Sequence, residues 1–446
     1  MNIKQTYRSR VRLGQRIYLL ILLTLWPAMG QLMAQPLDSL YVIGLRNHPG
    51  VEAMELAIEQ TKARASAAGA WSVPGAGVEF RMLPPLNPNP FSTGETMLVV
   101  EQEIPLFGQN KKKAEAEQSM ARVEEAKIEL HYRRFYTWIA DEYYSIWQIE
   151  EERKLNRLSR ELAEKLYEDV EIRYKVDNAR PSELYSIAVE IERLNAEFNT
   201  LASQYGESSR RLNALLGRPL DDSVIIVDKP ESTPLPPFEE LVALLKNHPQ
   251  LRRLEAIAQA QQKKADAVES GLNPTLTLRS GLSWMPDGHP VRMENLGLTL
   301  GEINREGMLN RDNFGLMAGA MISIPIVPWA RSGIEGKASE ARLMARGALA
   351  ERNSVLRDLI AALGKPYGTI ERATIMIDFY REKQIPLLEE QIELLRSDYI
   401  NDRALFSDLI DVYRMLVMTG KDMVMKEGER ARAQAKIREM TMESSQ

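Results

Sequence analysis

The chain has 446 residues, 44% hydrophobic and 27% charged, with a net charge of −5, enough apolar content for a large core and unlike a disordered or collagen-like composition. Residues 1–34 contribute five basic side chains (Lys4, Arg8, Arg10, Arg12, Arg16) and no acid; the remainder carries 52 basic against 62 acidic groups, a balance of −10 that argues against a nucleic-acid partner. Cysteine is absent, which excludes disulfides, thiolate metal sites, cysteine nucleophiles and acylation of an N-terminal cysteine.

Residues 1–16 are basic, Ile17–Trp26 is an apolar run, and small or polar residues follow up to Ala34-Gln35. This layout predicts a secretory signal cleaved after Ala34. No later stretch approaches the roughly 18 apolar residues that a membrane-crossing helix needs. An exported chain of this kind can span a membrane only with strands.

The mature part reads as two copies of one unit. Asn47-His48-Pro49 recurs as Asn247-His248-Pro249, and the Gln/Lys/Ala-rich stretches that follow end at Pro74 and Pro274. Glu103-Ile104-Pro105-Leu106 answers Ser323-Ile324-Pro325-Ile326, and Tyr174…Ser182-Glu183-Leu184 answers Tyr399…Ser407-Asp408-Leu409. Four anchors in one order predict a duplication, with a first repeat over 35–217, a Pro- and Asp-rich linker over 218–237 and a second repeat over 238–446.

Each repeat is expected to run helix, strand, loop, strand, very long helix, tight turn, long helix. In the first these are 38–70, 76–82, 83–95, 96–104, 111–176 and 182–216; in the second, 238–270, 275–284, 285–313, 314–324, 331–400 and 405–438. Neither Gly nor Pro occurs between Gln109 and Arg180, so a helix of about 100 Å is expected there. In the second repeat Gly364, Pro366 and Pro386 predict kinks or a break. Leu184, Ile187, Ile191, Leu194, Phe198, Leu201, Tyr205, Leu212 and Leu215 recur at three- and four-residue steps with only Ser208 breaking the seam, a coiled-coil signature. A shorter seam runs through Leu409, Val412, Leu416 and Met423.

The four strand segments alternate. Leu276, Leu278, Leu282 and Trp284 interleave with Thr277, Arg279, Gly281 and Ser283, and Phe314–Ile324, Val78–Met82 and Val100–Ile104 follow the same rule. Their length and two-sided character suit tilted membrane-crossing strands, although a half-buried soluble sheet would alternate in the same way. Four strands cannot close a barrel, for which about eight is the minimum. The chain is therefore expected to share a barrel with copies of itself.

Over nearly all of its mature length the chain resembles the TolC family of outer-membrane efflux proteins, through the duplication, the NHP that opens each half, Ile104–Gln109 (IPLFGQ) and Ile324–Trp329 (IPIVPW) before the long helices, and the two turn motifs. The resemblance implies a mainly α fold with a small β part: a homotrimer whose twelve strands form one outer-membrane barrel, continued by a coiled-coil α-helical barrel across the periplasm. It implies no enzymatic activity and no cofactor or metal. The partners implied are outer-membrane lipid, a periplasmic adaptor (membrane fusion protein) that meets the tip, and an inner-membrane RND-type pump. A family gate of one aromatic and two aspartates maps onto Tyr399, Asp408 and Asp411; the sequence departs from the family pattern at Asp402 and Arg403. The adaptor-docking tip implied is Asp177, Asn178, Arg180, Ser182, Glu183 and Ser407. The strand-loop-strand segment looks most like members paired with heavy-metal cation pumps, with Glu79, Arg81, Glu101 and Glu103 facing the lumen.

Independently of family, Asp408 and Asp411 repeated about an axis would form acidic rings that favour cations. Equally, they suit solvated carboxylates beside Ser407 at a helix start. His48, His131, His248 and His289 are scattered, and helix entry is the expected role of His48 and His248. Met415, Met418 and Met423 fall at helical spacing and are expected to fill a packed seam. No HExxH, GxSxG, Walker or GxGxxG pattern is present. A periplasmic coiled-coil adaptor or scaffold, a type I secretion exit duct and an exported helical enzyme are the alternatives to an efflux duct carrying metal cations or drugs.

Overall fold

The computed structural model describes residues 36–81, 95–176, 179–226, 229–230, 234–284, 314–401 and 403–442. The signal segment and the two loops expected over 83–95 and 285–313, save Glu95, lie outside the described residues. The chain divides into two compact units, one of residues 1–54, 128–249 and 355–446 and the other of 55–127 and 250–354.

In chain order the elements are α1 (Leu37–Asn47), α2 (Pro49–Gly69), β1 (Gly75–Arg81), β2 (Glu95–Pro105), α3 (Gln109–Lys175), α4 (Pro181–Leu216), α5 (Phe238–Leu245), α6 (Pro249–Glu269), β3 (Thr275–Trp284), β4 (Phe314–Ser323), α7 (Pro328–Phe379), α8 (Ile385–Ile400) and α9 (Phe406–Thr441). Without a helix breaker, α3 runs unbroken for 67 residues. Among the described residues no helix is long and apolar enough to cross a membrane.

Where one helix was expected over 38–70 and another over 238–270, each is broken at its NHP. The residue before a proline is pushed out of the helical region, and His48 accordingly adopts φ −79 and ψ 118 while Pro49 starts α2. The His48 Nδ1 accepts the Gly50 amide at 3.1 Å, a helix-entry role. His248 is buried at the matching joint between α5 and α6.

In the first unit, α1 closes a core of Leu40, Phe135, Ile139, Tyr143, Ile146, Leu212 and Leu216 from α1, α3 and α4. A second core joins Leu241 and Leu245 of α5 to Leu363 and Ile370 of α7 and Ala433, Ile437 and Met440 of α9. Gly217 ends α4 at φ 64, and a Cβ there would lie 3.0 Å from both the Cβ and the carbonyl oxygen of Asn47. Gly217→Ala is therefore expected to cost about 1–2 kcal/mol from backbone strain alone, seen as a lower midpoint in thermal or denaturant unfolding.

Two expectations for the second half are corrected. Gly364 and Pro366 do not interrupt α7, because Leu363 and Ile370 on either side of the proline are buried in the second core and hold the helix through the missing hydrogen bond. At Pro386 the expected irregularity is present, as a π-helical turn at Tyr380–Gln384 that widens the helix where the proline ring would meet the preceding turn. Arg381 and Gln384 of that turn reach Glu427 Oε1 (2.5 Å) and Thr419 Oγ1 (3.0 Å) on α9. The methionines are the second correction. Met415 and Met418 are exposed and Met423 is half-buried, because at about 100° per residue Met418 lies opposite Leu409 on the helix. The seam is filled by Leu409, Val412 and Val424, with Leu416 partly buried.

In the second unit the sheet is antiparallel in the order β1-β2-β3-β4. All four strands meet the helical segments at one end, since Gly75 pairs with Glu101, Pro105 with Thr275 and Thr275 with Ser323.

Candidate functional site

Two regions gather the residues singled out from the sequence: the turn between α8 and α9 with its neighbours, and the two faces of the sheet.

The first is built on a core shared by both helical hairpins. Leu166 and Val170 of α3 and Ile187 of α4 pack with Leu388, Ile392 and Tyr399 of α8 and Phe406, Leu409 and Ile410 of α9. Tyr399 is buried, and its hydroxyl donates to Glu183 Oε2 at 2.7 Å. Arg173 completes the arrangement. Its guanidinium lies 4.4 Å from the centroid of the Tyr399 ring and donates to the backbone oxygens of Tyr399 (2.8 Å) and Ile400 (3.0 Å). One arginine thus caps the C-terminus of α8 and covers its aromatic residue. Beyond it, the Arg403 amide donates to the Asp398 oxygen at 2.8 Å, which closes the turn.

The expected acidic residues sit on the outside of this core. Asp408 is exposed in the first turn of α9, where the helix dipole favours it, and accepts from Ser407 Oγ at 3.3 Å. Asp411 has 69% of its side chain exposed and pairs with Arg414 at 3.3 Å. Arg180, Ser182 and Ser407 are exposed, whereas Glu183 is drawn inward to Tyr399. Asp177, Asn178 and Asp402 lie outside the described residues.

Sequence reasoning missed Arg173, which is 226 residues from its partner, and the ladder that ties α4 to α9. In that ladder Arg414 Nε reaches Glu190 Oε2 at 3.2 Å, Arg193 bonds Glu190 from the same helix, and Lys421 bonds Glu197. Burial by itself would raise the proton affinity of Glu190, but the hydrogen bond and charge of Arg193, joined by Arg414, win and hold the carboxyl below its ordinary value of 4.5. A depressed folded-state value stabilises the fold above the ordinary carboxyl value, and that contribution disappears as pH falls through the folded value. Thermal unfolding of the full chain is therefore expected to lose stability as pH drops below about 4.5, and Glu190→Gln to flatten that dependence.

On the sheet, register decides the faces. Val78, Leu98, Leu282 and Leu316 form one row across all four strands, and every one of them is exposed. Val100, Leu278 and Ile322, also exposed, share that face. Glu79, Arg81, Glu101 and Glu103 all lie on the other face, with Met97, Val99 and Arg279. Glu79 accepts from Arg81 at 2.9 Å and from Arg279, which reaches over the intervening strand β2. Arg279 was missed as a site residue although its alternation with Leu278 and Leu282 was legible.

The charged groups described in both regions are paired with one another, hydrogen-bonded or exposed. Among the described residues no group of three or more His, Asp or Glu is placed to hold a metal ion.

No family model matches the chain, and no curated protein matches it in sequence. Solved structures do match the fold. CusC, described in terms of folding and transmembrane channel formation, superposes with a TM-score of 0.72 at 14% identity over 92% of this chain and 92% of its own. The outer-membrane channel OprN gives 0.71 at 14% identity over 91% and 89%. The outer membrane protein VceC of Vibrio cholerae gives 0.70 at 14% identity over 91% and 95%. At such identities the likeness concerns the fold: long helices with a small four-stranded antiparallel sheet.

Proposed function

We propose that the chain is a passive outer-membrane exit duct of a tripartite efflux system, exported by residues 1–34 and assembled as a trimer that pools twelve strands into one barrel. The observation that carries this reading is the exposed apolar row Val78, Leu98, Leu282 and Leu316, with charged residues confined to the opposite face of the same sheet. A soluble protein rarely leaves such a face to water, whereas the wall of a membrane barrel requires it. Four strands also leave two edges, β1 and β4, which copies of the chain would satisfy. The shared fold with outer-membrane channels supports the same reading.

Within it, the two halves are a duplication, and the turn between α8 and α9 is the periplasmic gate. Asp408 and Asp411 line the gate, while Arg180, Ser182, Glu183 and Ser407 lie where a periplasmic adaptor, linked to an inner-membrane RND-type pump, would dock. Glu79, Arg81, Glu101 and Glu103 face the lumen; the pairing of Glu79 with Arg81 and Arg279 leaves Glu101 and Glu103 as its acidic surface. Metal cations are the cargo this lining suits best.

Fractionation of cells that express the full chain tests the proposal. A heat-stable oligomer that needs detergent for release from the outer membrane, and that forms ion-conducting pores in planar bilayers, is expected. Release as a soluble monomer would overturn it in favour of a scaffold. Cargo is tested on a deletion strain by comparing tolerance to metal cations with tolerance to organic drugs; selective sensitivity to the cations is expected.

A further inference from the structure

The segments that join strands to helices carry a set of exposed large apolar residues that no core uses: Trp71 and Val73 before β1, Phe107 after β2, and Ile326 and Trp329 after β4, each between 66% and 88% exposed. All lie at the end of the sheet where the strands meet the helical segments, just beyond the apolar face. Phe107 is held there against its preference. Its φ of 54 is unusual for a bulky side chain, and it persists because the turn is tied on both sides. Leu106 N donates to the Pro274 oxygen at 3.2 Å, buried Gln109 Nε2 to the Asn273 oxygen at 3.0 Å, and Asn110 Nδ2 to the Ala70 oxygen at 2.8 Å. The outcome is a 72% exposed ring.

Directly behind it stand Lys111, Lys112 and Lys113, all exposed in the opening turns of α3, whose first turn has no acid. Positive charge at a helix start is unfavourable for the helix, so these lysines do not serve its stability. None forms an ion pair among the described residues, although the charge of Lys112 acts on Glu269, which is paired to Arg342 at 2.5 Å. Exposed aromatic residues flanked by lysine, at the boundary of an apolar strand face, match the composition of a membrane interface, with rings at headgroup depth and ammonium groups at the phosphates.

We infer that Trp71, Phe107 and Trp329, with Lys111–Lys113, form an interfacial belt that binds the headgroups of acidic phospholipids. The inference rests on the outer-membrane reading and adds a lipid preference to it. Charge complementarity selects the acidic headgroup over the zwitterionic one, on the order of a hundredfold for three lysines near the surface.

The test uses the full chain in detergent, incubated with phosphatidylglycerol or phosphatidylethanolamine, with retained lipid counted by native mass spectrometry. The unaltered chain is expected to retain phosphatidylglycerol on the order of a hundredfold over phosphatidylethanolamine. The triple variant K111Q/K112Q/K113Q is expected to fall to near parity, with its oligomer intact and its melting temperature unchanged or slightly higher, since an unfavourable charge has left the helix start. Retained preference in the triple variant overturns the inference. Equal loss of preference on adding millimolar inorganic phosphate overturns it in favour of a free-anion site, and dissociation of the variant into monomers in favour of a second copy covering the belt. An unaltered chain that enters vesicles of neither composition overturns the outer-membrane reading itself.

Discussion

Leu98→Arg is expected to abolish the detergent-extracted oligomer. Leu98 stands in a central strand, second in the row that runs from Val78 to Leu316 on the apolar face, and is half exposed in the isolated chain. A charged side chain on the lipid face of a membrane barrel costs about 2–4 kcal/mol near the bilayer midplane, and a trimer incurs that cost three times. The total rivals the whole stability of an ordinary domain. Glu103→Arg is the matched control: it places the same side chain on the opposite face of the same strand, at an exposed position paired with Thr277. There the expected cost is within about 0.5 kcal/mol, as at most solvated surface positions. Heat-stable oligomer in outer-membrane extracts, compared between the two variants by gel mobility before and after boiling, reads the difference. If both assemble equally, the apolar face is not lipid-facing and the duct reading falls with it. A soluble scaffold would tolerate both substitutions, and Leu98→Arg would even improve its solubility.

The faces that make this test possible were legible because strand periodicity is local. Alternation along Leu276–Trp284 and Phe314–Ile324 locates β3 and β4 to within a residue of their observed ends, since each side chain reports its face independently of distant contacts. The long uninterrupted run from Gln109 gives α3 for the same reason. The errors arise where tertiary packing overrides local preference. Pro366 signals a break, yet Leu363 and Ile370 are pinned by α5 and α9, which no window around the proline reveals. The sequence spacing of Met415 and Met418 is helical, but spacing alone does not say which face the partner helix covers. At the candidate gate, Tyr399 and Asp408 were found through a resemblance, whereas Arg173 lies on another helix, and its role depends on how two hairpins pack. Cross-hairpin contacts of this kind have no periodic signature.

That missed arginine carries the second large expected effect. If the turn between α8 and α9 is a gate, Arg173 is a candidate for its latch within one chain, since it covers the Tyr399 ring and takes the last two carbonyls of α8. Arg173→Ala leaves these carbonyls without that donor, at about 1–3 kcal/mol for each group that water cannot reach, and removes a cation–π contact of about 0.5–2 kcal/mol. Tyr399→Phe removes the hydroxyl bond to Glu183 while keeping the ring under Arg173, and should cost about 0.5–1.5 kcal/mol. The order expected in bilayer recordings is therefore Arg173→Ala well above Tyr399→Phe in open probability, with faster amide exchange over 397–406 in the same order. Asp408→Ala combined with Asp411→Ala acts on a different quantity: both side chains are exposed, so the packing is left intact while block by multivalent cations weakens. The two sets of variants separate the latch from the lining. Faster exchange in Arg173→Ala without any change in conductance would mean that the hairpins pack here for stability alone, and unchanged cation block in the aspartate pair would return Asp408 and Asp411 to the role of helix-start carboxylates. The gate reading requires both effects: a change in how often the pore opens from the arginine variant, and a change in what occupies it from the aspartate pair.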